Sequence, residues 1–383
     1  MMSGEFDPVE ELGLFPDRML ITNLSGFILR NNTLRDVCAR FIRNGEHFYD
    51  VVMRYDSLTA YVLGRDEATA GNTMKWVMPF LKANGASDYL LKKAYSETMQ
   101  LMPGAEDALR YISRLLPTHV STSLYEHAWI DLAERIDAPL CDVFCSKVDM
   151  DHMEFGRSDA RRVREICERI TSLKIPRTVY ELNVPMEVNE KDVRIIRTMD
   201  DILKEEIPGL PAMGFMESVN AVTSHRKAYQ LLDIRKQSSI DLDSTMYIGG
   251  EDTDYQCLDL VRDAGGVALS FNGTDFAVRG CNIAILSKDA TVGAVFASLF
   301  NDRGIEAILD LAENWNRNYL KNCEFPDRNL LDRMLAAHPR KLPEVYAVDG
   351  SNVDEVAELS AEFRKKVFLR AGHRAHPLLR IDF

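Results

Sequence analysis

The spacing of apolar and polar positions changes several times along the chain. Met19-Leu20-Ile21-Thr22-Asn23-Leu24 is a short, mostly apolar stretch stopped by Ser25-Gly26, the form of a buried strand ended by a turn. From 28 to 102 the apolar residues recur mostly at threes and fours. Val37, Phe41, Phe48, Val51 and Val52 do so, as do Trp76, Val77, Phe80 and Leu81. That spacing predicts helices almost throughout. Two β-strands could lie there, but there is no alternating run. Pro103-Gly104 opens a helix over Ala105 to Leu116, with Pro103 suited to its first turn. A strand over Thr118 to Ser123 and a helix over Tyr125 to Ile136 follow.

Residues 140–215 are less regular. A helix is predicted over Arg161 to Leu173, and Thr178 to Val184 alternates like a strand. Asp192 to Glu205 reads as one or two helices. The stretch Ile207-Pro208-Gly209-Leu210-Pro211 marks a boundary. Ser224 is placed to cap a helix running to about Leu232. Thr245 to Ile248, Val267 to Phe271 and Asn282 to Leu286 read as strands, with a helix over Tyr255 to Asp263. Short strands separated by helices imply βαβ units and a parallel sheet. The remainder, 290–383, reads as helical, with Arg364, Lys365, Lys366, Arg370, Arg374 and Arg380 as a basic end, read as a solvated face or a subunit contact.

The 383 residues are 46% hydrophobic and 27% charged, which excludes disordered and fibrous classes. Asp and Glu total 59 against 46 Lys and Arg, a net charge of −13 that argues against nucleic acid as a partner. Seven cysteines without a CxxC pair read as free thiols in a reducing compartment. The acidic stretch Met1 to Leu14 has the wrong sign for a secretory or transit segment. Lys288 and Asp289 interrupt the longest apolar candidate, Cys281 to Phe300, so no membrane span is expected. Two sequons, at Asn31 and Asn272, carry no weight without an export signal. A cytoplasmic, soluble protein is the expectation.

In open parallel sheets, ligands bind at the carboxyl ends of the strands. Four segments fall there: Asn23-Leu24-Ser25-Gly26, Ser121-Thr122, Ser224 to Lys227, and Gly249-Gly250-Glu251-Asp252-Thr253-Asp254. Their order resembles the haloacid dehalogenase-like (HAD) superfamily, whose motifs are Asp-x-Asp after the first strand, a Ser or Thr, a Lys at a helix start, and Gly-Asp-x-x-x-Asp. Met102-Pro103-Gly104-Ala105 resembles that family's turn before its second motif, and Tyr247 to Asp254 followed by Ala264-Gly265-Gly266 is similarly placed. Ser270-Phe271-Asn272 resembles the last-strand end of phosphoserine phosphatase-like members. The run from Asn44-Gly45 through Lys82-Ala83-Asn84-Gly85 resembles the archaeal energy-converting hydrogenase A subunit R family.

The resemblance implies a HAD-like Rossmannoid α/β core made of 12–27, 103–139 and 216–290. It implies a helical cap at 28–102, a second cap-like insertion at 140–215, and a helical extension at 291–383. It places the nucleophile at Asn23, the acid/base at Ser25 and the catalytic cation at Lys227. Phosphate-binding groups would be Ser121, Thr122, Gly26 and Lys227. Mg²⁺ ligands would be Asn23, Ser25 and Asp254, with Glu251 as a further one.

These residues depart from the family's chemistry. Asn23 stands where an aspartate should attack, and an amide is a far poorer nucleophile than a carboxylate. Ser25 does not titrate near neutral pH and cannot replace the aspartic acid/base. Gly250 takes the place of the first acid of the last motif. Losing a carboxylate ligand weakens Mg²⁺ binding.

The expected function is therefore phosphatase-like binding of a phosphorylated small molecule or a partner, with impaired or no aspartyl-phosphate chemistry. Two alternatives stay open: an Mg²⁺-dependent phosphomonoester hydrolase using Glu251 or Asp252 as a replacement acid, and an accessory subunit of a larger complex. Taken singly, each motif has an ordinary reading. Asn23 and Ser25 could be turn residues, Lys227 a first-turn lysine, and Glu251, Asp252 and Asp254 a solvated acidic turn. His119, His127 and His225 near these segments read as structural.

Overall fold

A computed structural model of the protein describes residues 16–63, 65, 69–175, 189–210 and 219–372. Strand β1 (Met19–Thr22) has all four residues buried, as a strand flanked on both sides by parallel neighbours must. Four helices follow: α1 (Thr33–Phe41), α2 (Gly45–Ser57), α3 (Thr73–Ala83) and α4 (Asp88–Thr98). A π-helical turn over Leu58–Val62 continues α2. Next come α5 (Ala105–Leu115), β2 (Thr118–Tyr125), α6 (Glu126–Ile136) and β3 (Val143–Ser146). Helices α7 (Arg157–Ser172) and α8 (Glu190–Asp200) complete the second insertion, with a π-helical turn over Asp201–Glu206.

The chain returns to the sheet through α9 (Ser224–Ser238), β4 (Thr245–Gly249), α10 (Tyr255–Asp263), β5 (Val267–Phe271), α11 (Asp275–Gly280) and β6 (Ile283–Leu286). It ends with α12 (Thr291–Glu313), α13 (Arg317–Asn322), α14 (Arg328–Ala337), β7 (Glu344–Ala347) and α15 (Val353–Gly372).

The sheet order is β3-β2-β1-β4-β5-β6-β7, parallel except for β7 against β6. This is the expected α/β class: a parallel core with helical insertions and a C-terminal extension. Helix α7 of the second insertion packs on α2 and α3 of the first, so the two insertions share one helical layer. Tyr55 and Arg65 both bind Asp200, at 2.5 and 2.6 Å, and tie that layer together.

Several local expectations need correction. Strand β3 falls inside the predicted second insertion and β7 inside the predicted helical extension. Both are four-residue edge strands, mostly or wholly half-buried, too short to display a period. Pro103 is not in the first turn of α5: Gly104 is the N-cap, at φ 74°. The cap of α9 is Thr223, whose hydroxyl accepts from Arg226 N, and α9 runs past Leu232 to Ser238. The predicted strand at 178–184 lies outside the described residues. Among the described residues, no helix is long and apolar enough to cross a membrane.

Candidate functional site

Three strand ends converge at the middle of the sheet: those of β1, β4 and β5. After β1 the chain turns sharply, with Ile28 N and Leu29 N both donating to Leu24 O and Gly26 N to Leu29 O. Gly26 sits at φ +91°, and a Cβ there would lie 2.3 Å from Phe271 O, so only glycine fits. Asn272, just beyond β5, donates to Gly26 O at 3.2 Å and Ser287 O at 2.8 Å, which ties the loops after β1, β5 and β6 together.

Asp254 is the hub of the site, fully buried on the short helical turn after β4. Its Oδ1 accepts from Lys227 Nζ at 2.7 Å and Tyr247 OH at 2.9 Å. Its Oδ2 accepts from Asn23 Nδ2 at 2.8 Å, Gly250 N at 2.8 Å and Glu251 N at 2.9 Å. Burial alone would push this carboxyl up. The Lys227 charge and these hydrogen bonds outweigh burial and hold it below the usual aspartate range. Five donors saturate a carboxylate with about four lone-pair positions.

Asn23 is 2% exposed and equally engaged: its Nδ2 binds Asp254 while its Oδ1 accepts from Leu24 N at 2.7 Å. No free side-chain atom remains at the position expected of a nucleophile. An aspartate there would bring a second carboxylate to within hydrogen-bond distance of Asp254 Oδ2, an arrangement that demands a proton or a cation between them. Gly250 is sterically fixed, because a Cβ would stand 2.6 Å from Ser25 O and 3.0 Å from Phe271 O. The family's acid cannot be accommodated at 250 on this backbone.

In this arrangement the expected Mg²⁺ ligands are engaged with protein donors. Asp254 accepts five hydrogen bonds and Asn23 Oδ1 accepts one from Leu24 N. Oε1 of Glu251 accepts from both the Ser25 hydroxyl and Arg364. Among the described residues, no group of three or more His, Cys, Asp or Glu side chains could hold a metal ion.

Arg364, from α15, is the site residue that the sequence concealed. Its Nη1 donates to Asn272 O at 2.7 Å and Gly250 O at 3.0 Å, and its Nη2 to Glu251 Oε1 at 2.5 Å and Ser25 Oγ at 3.3 Å. Its guanidinium also lies 4.1 Å from the Phe368 ring centre. It belongs to the basic run read as a solvated face, yet its side chain is only 12% exposed. Nothing in that run distinguishes it from its exposed neighbour Lys366.

A cavity of about 70 Å³ opens between these loops and the inserted helices. Asn23, Ser25, Thr122, Glu251 and Asp252 line it from below, and Tyr49, Met53, Asp56, Thr73 and Met74 from above. The inserted layer docks here through Ser57 Oγ on Asp252 Oδ2, at 2.6 Å, and Tyr61 OH on Asp252 O, at 2.5 Å.

Of the expected phosphate-binding groups, Thr122 lines the cavity. The others face elsewhere: Ser121 Oγ donates to Gln230 at 3.0 Å, Gly26 N to Leu29 O, and Lys227 to Asp254. His119 pairs with Asp142 and His127 with Asp88, both away from the cavity, and His225 is exposed.

Asp56 was missed. It stands on the apolar face of α2 with Phe48, Val52 and Tyr55, and a lone acid on such a stripe was the available signal. Burial lifts its carboxyl to about 7, against the lowering effect of its bonds to Thr73 and Gly71, with the Asp252 charge adding to the rise.

No protein-family model matches the sequence, and no curated protein matches it. Among solved structures, gene product AF1437 from Archaeoglobus fulgidus is similar at a TM-score of 0.73 and 22% identity, over 93% of this chain and 98% of that one. That likeness shows a shared fold. A phospho-aspartyl intermediate analogue of phosphoserine phosphatase and a substrate-bound phosphoserine phosphatase complex each align at a TM-score of 0.41 and 12% identity. They cover 71% of this chain and 95% and 94% of theirs.

Proposed function

We propose that this chain is a HAD-like binding protein that does not carry out aspartyl-phosphate chemistry and holds a small polar ligand in the cavity between core and inserted helices. The observation that carries this reading is the Asn23 amide, bound on one side by Leu24 N and on the other to Asp254. Gly250, with no room for an acid, and Arg364, seated on Glu251, support it. The cavity's charge also turns the ligand away from the phosphorylated class expected at first. Its described lining carries Asp56, Glu251 and Asp252 but neither lysine nor arginine, so a phosphate dianion would enter without a counter-charge.

The test is hydrolysis of a panel of phosphomonoesters with and without Mg²⁺, alongside thermal melting. The parent protein is expected to show no turnover and no Mg²⁺-dependent rise in Tm. Asn23→Asp is expected to melt lower without metal and to regain stability with it, because the new carboxylate pair needs a cation. Chelator-sensitive turnover by the parent would overturn the reading and direct attention to Glu251 and Asp252 as replacement acids.

A further inference from the structure

We propose that the cavity beneath the inserted helices is a binding site for a small protonated alkylamine, whose ammonium group is received by Asp56. The assignment rests on the reading above that this cavity holds a ligand, and it names the ligand's chemistry.

Asp56 is 3% exposed. Its Oδ2 accepts from Gly71 N at 2.9 Å, Thr73 N at 2.8 Å and Thr73 Oγ1 at 2.8 Å. Its Oδ1 is buried with no partner among the described residues. Native structures rarely leave a buried carboxylate oxygen bare, and Asp56 lines the cavity. Among the described residues no cation offsets it. The charged neighbour acting on Asp56 is Asp252, a second buried acid lining the same cavity, itself pushed above the usual aspartate range chiefly by burial.

An ammonium group supplies what is missing here: donors for Oδ1 and a positive charge beside Asp56. A multivalent metal is disfavoured, since the described residues offer no ligand cluster. Leu29, Met53, Met74 and Leu124 form much of the remaining lining and suit an alkyl body. At about 70 Å³ the cavity is about half the size of one that holds benzene. Its occupant is therefore on the order of three to five non-hydrogen atoms.

Binding will follow the ionisation of Asp56. The titratable groups facing it are Asp252, from the loop after β4, and Tyr61, from the π-helical turn. Affinity should fall as pH drops below about 7, where Asp56 takes up its proton.

Calorimetric titration of the full chain with propylammonium chloride at pH 8 is the test, with n-propanol and inorganic phosphate as controls. Saturable propylammonium binding is expected, weaker by roughly tenfold or more in Asp56→Asn, with neither control binding. Asp56→Asn keeps an oxygen for Gly71 and Thr73, so it should fold, and its melting transition checks this. Ala70→Leu, which fills the cavity and spares Asp56, should abolish binding as well. Absence of saturable amine binding by the parent, unchanged affinity in Asp56→Asn, or phosphate in place of amine would each overturn the assignment. Phosphomonoester hydrolysis would overturn only the non-catalytic reading, because the amine titration measures binding alone.

Discussion

An amide in place of a carboxylate at Asn23 changes what its neighbours can do. Asn23 can donate to Asp254, so the two side chains close directly on one another and Asp254 keeps Lys227 as its ion-pair partner. Asp56 is the opposite case, a buried acid with no cation, and its consequence is measurable. The unfolded chain releases this proton near the ordinary 3.8, whereas the folded protein holds it to about 7. As pH rises between those values the unfolded state gains, so wild-type stability falls by at most about 4 kcal/mol across that window and levels off above it. Asp56→Asn should therefore match the wild type near pH 4 and exceed it by a few kcal/mol (~2–4) at pH 8. Urea unfolding at the two pH values checks this, and a deficit at pH 8 would contradict the assigned burial.

At the scale of elements, α15 completes the site. It packs on α11 and β6 and sends Arg364 to oxygens of the loops after β1, β4 and β5. One side chain thus fastens a C-terminal helix to loops more than 90 positions earlier in the chain. Arg364→Ala would leave Glu251 without its ion-pair partner and free two carbonyls. The expected cost is about 2–4 kcal/mol. Amide exchange should rise in α15 and around Gly250 to Asp252 while β1 stays protected. Uniform protection across α15 in that variant would show that its apolar contacts alone hold it.

Across the whole molecule, seven strands, two insertions and the extension share one burial pattern, and the cysteines report on it. Cys38, Cys167, Cys257 and Cys281 are buried, Cys145 and Cys323 half-buried, and Cys141 exposed, all as free thiols. Titration with a thiol reagent should modify Cys141 fast and the half-buried pair slowly. The four buried thiols should react only after unfolding, at a rate that measures global opening. Early reaction of Cys38, in α1 of the inserted layer, would show that layer opening independently of the sheet.

The chain's own pattern of residues determined most of the elements. The central strands are continuous apolar runs ended by glycine turns, and the helices carry period-3.6 stripes, so local chemistry declares them. It also declared the four loops at the sheet's carboxyl edge, because parallel βαβ units place them there whatever their details. Tertiary structure alone decided the partners. Arg364 could be told from the rest of its basic run only by where α15 docks. Lys227 and Asp254, 27 positions apart, became a buried pair only when α9 met the turn after β4. The short edge strands β3 and β7 exist because a neighbouring strand offers unpaired backbone groups. Asp56 acquired its character from the layer that removed it from water. Contacts between residues distant in sequence leave no period for a local pattern to reveal, and burial is a property of the assembled fold.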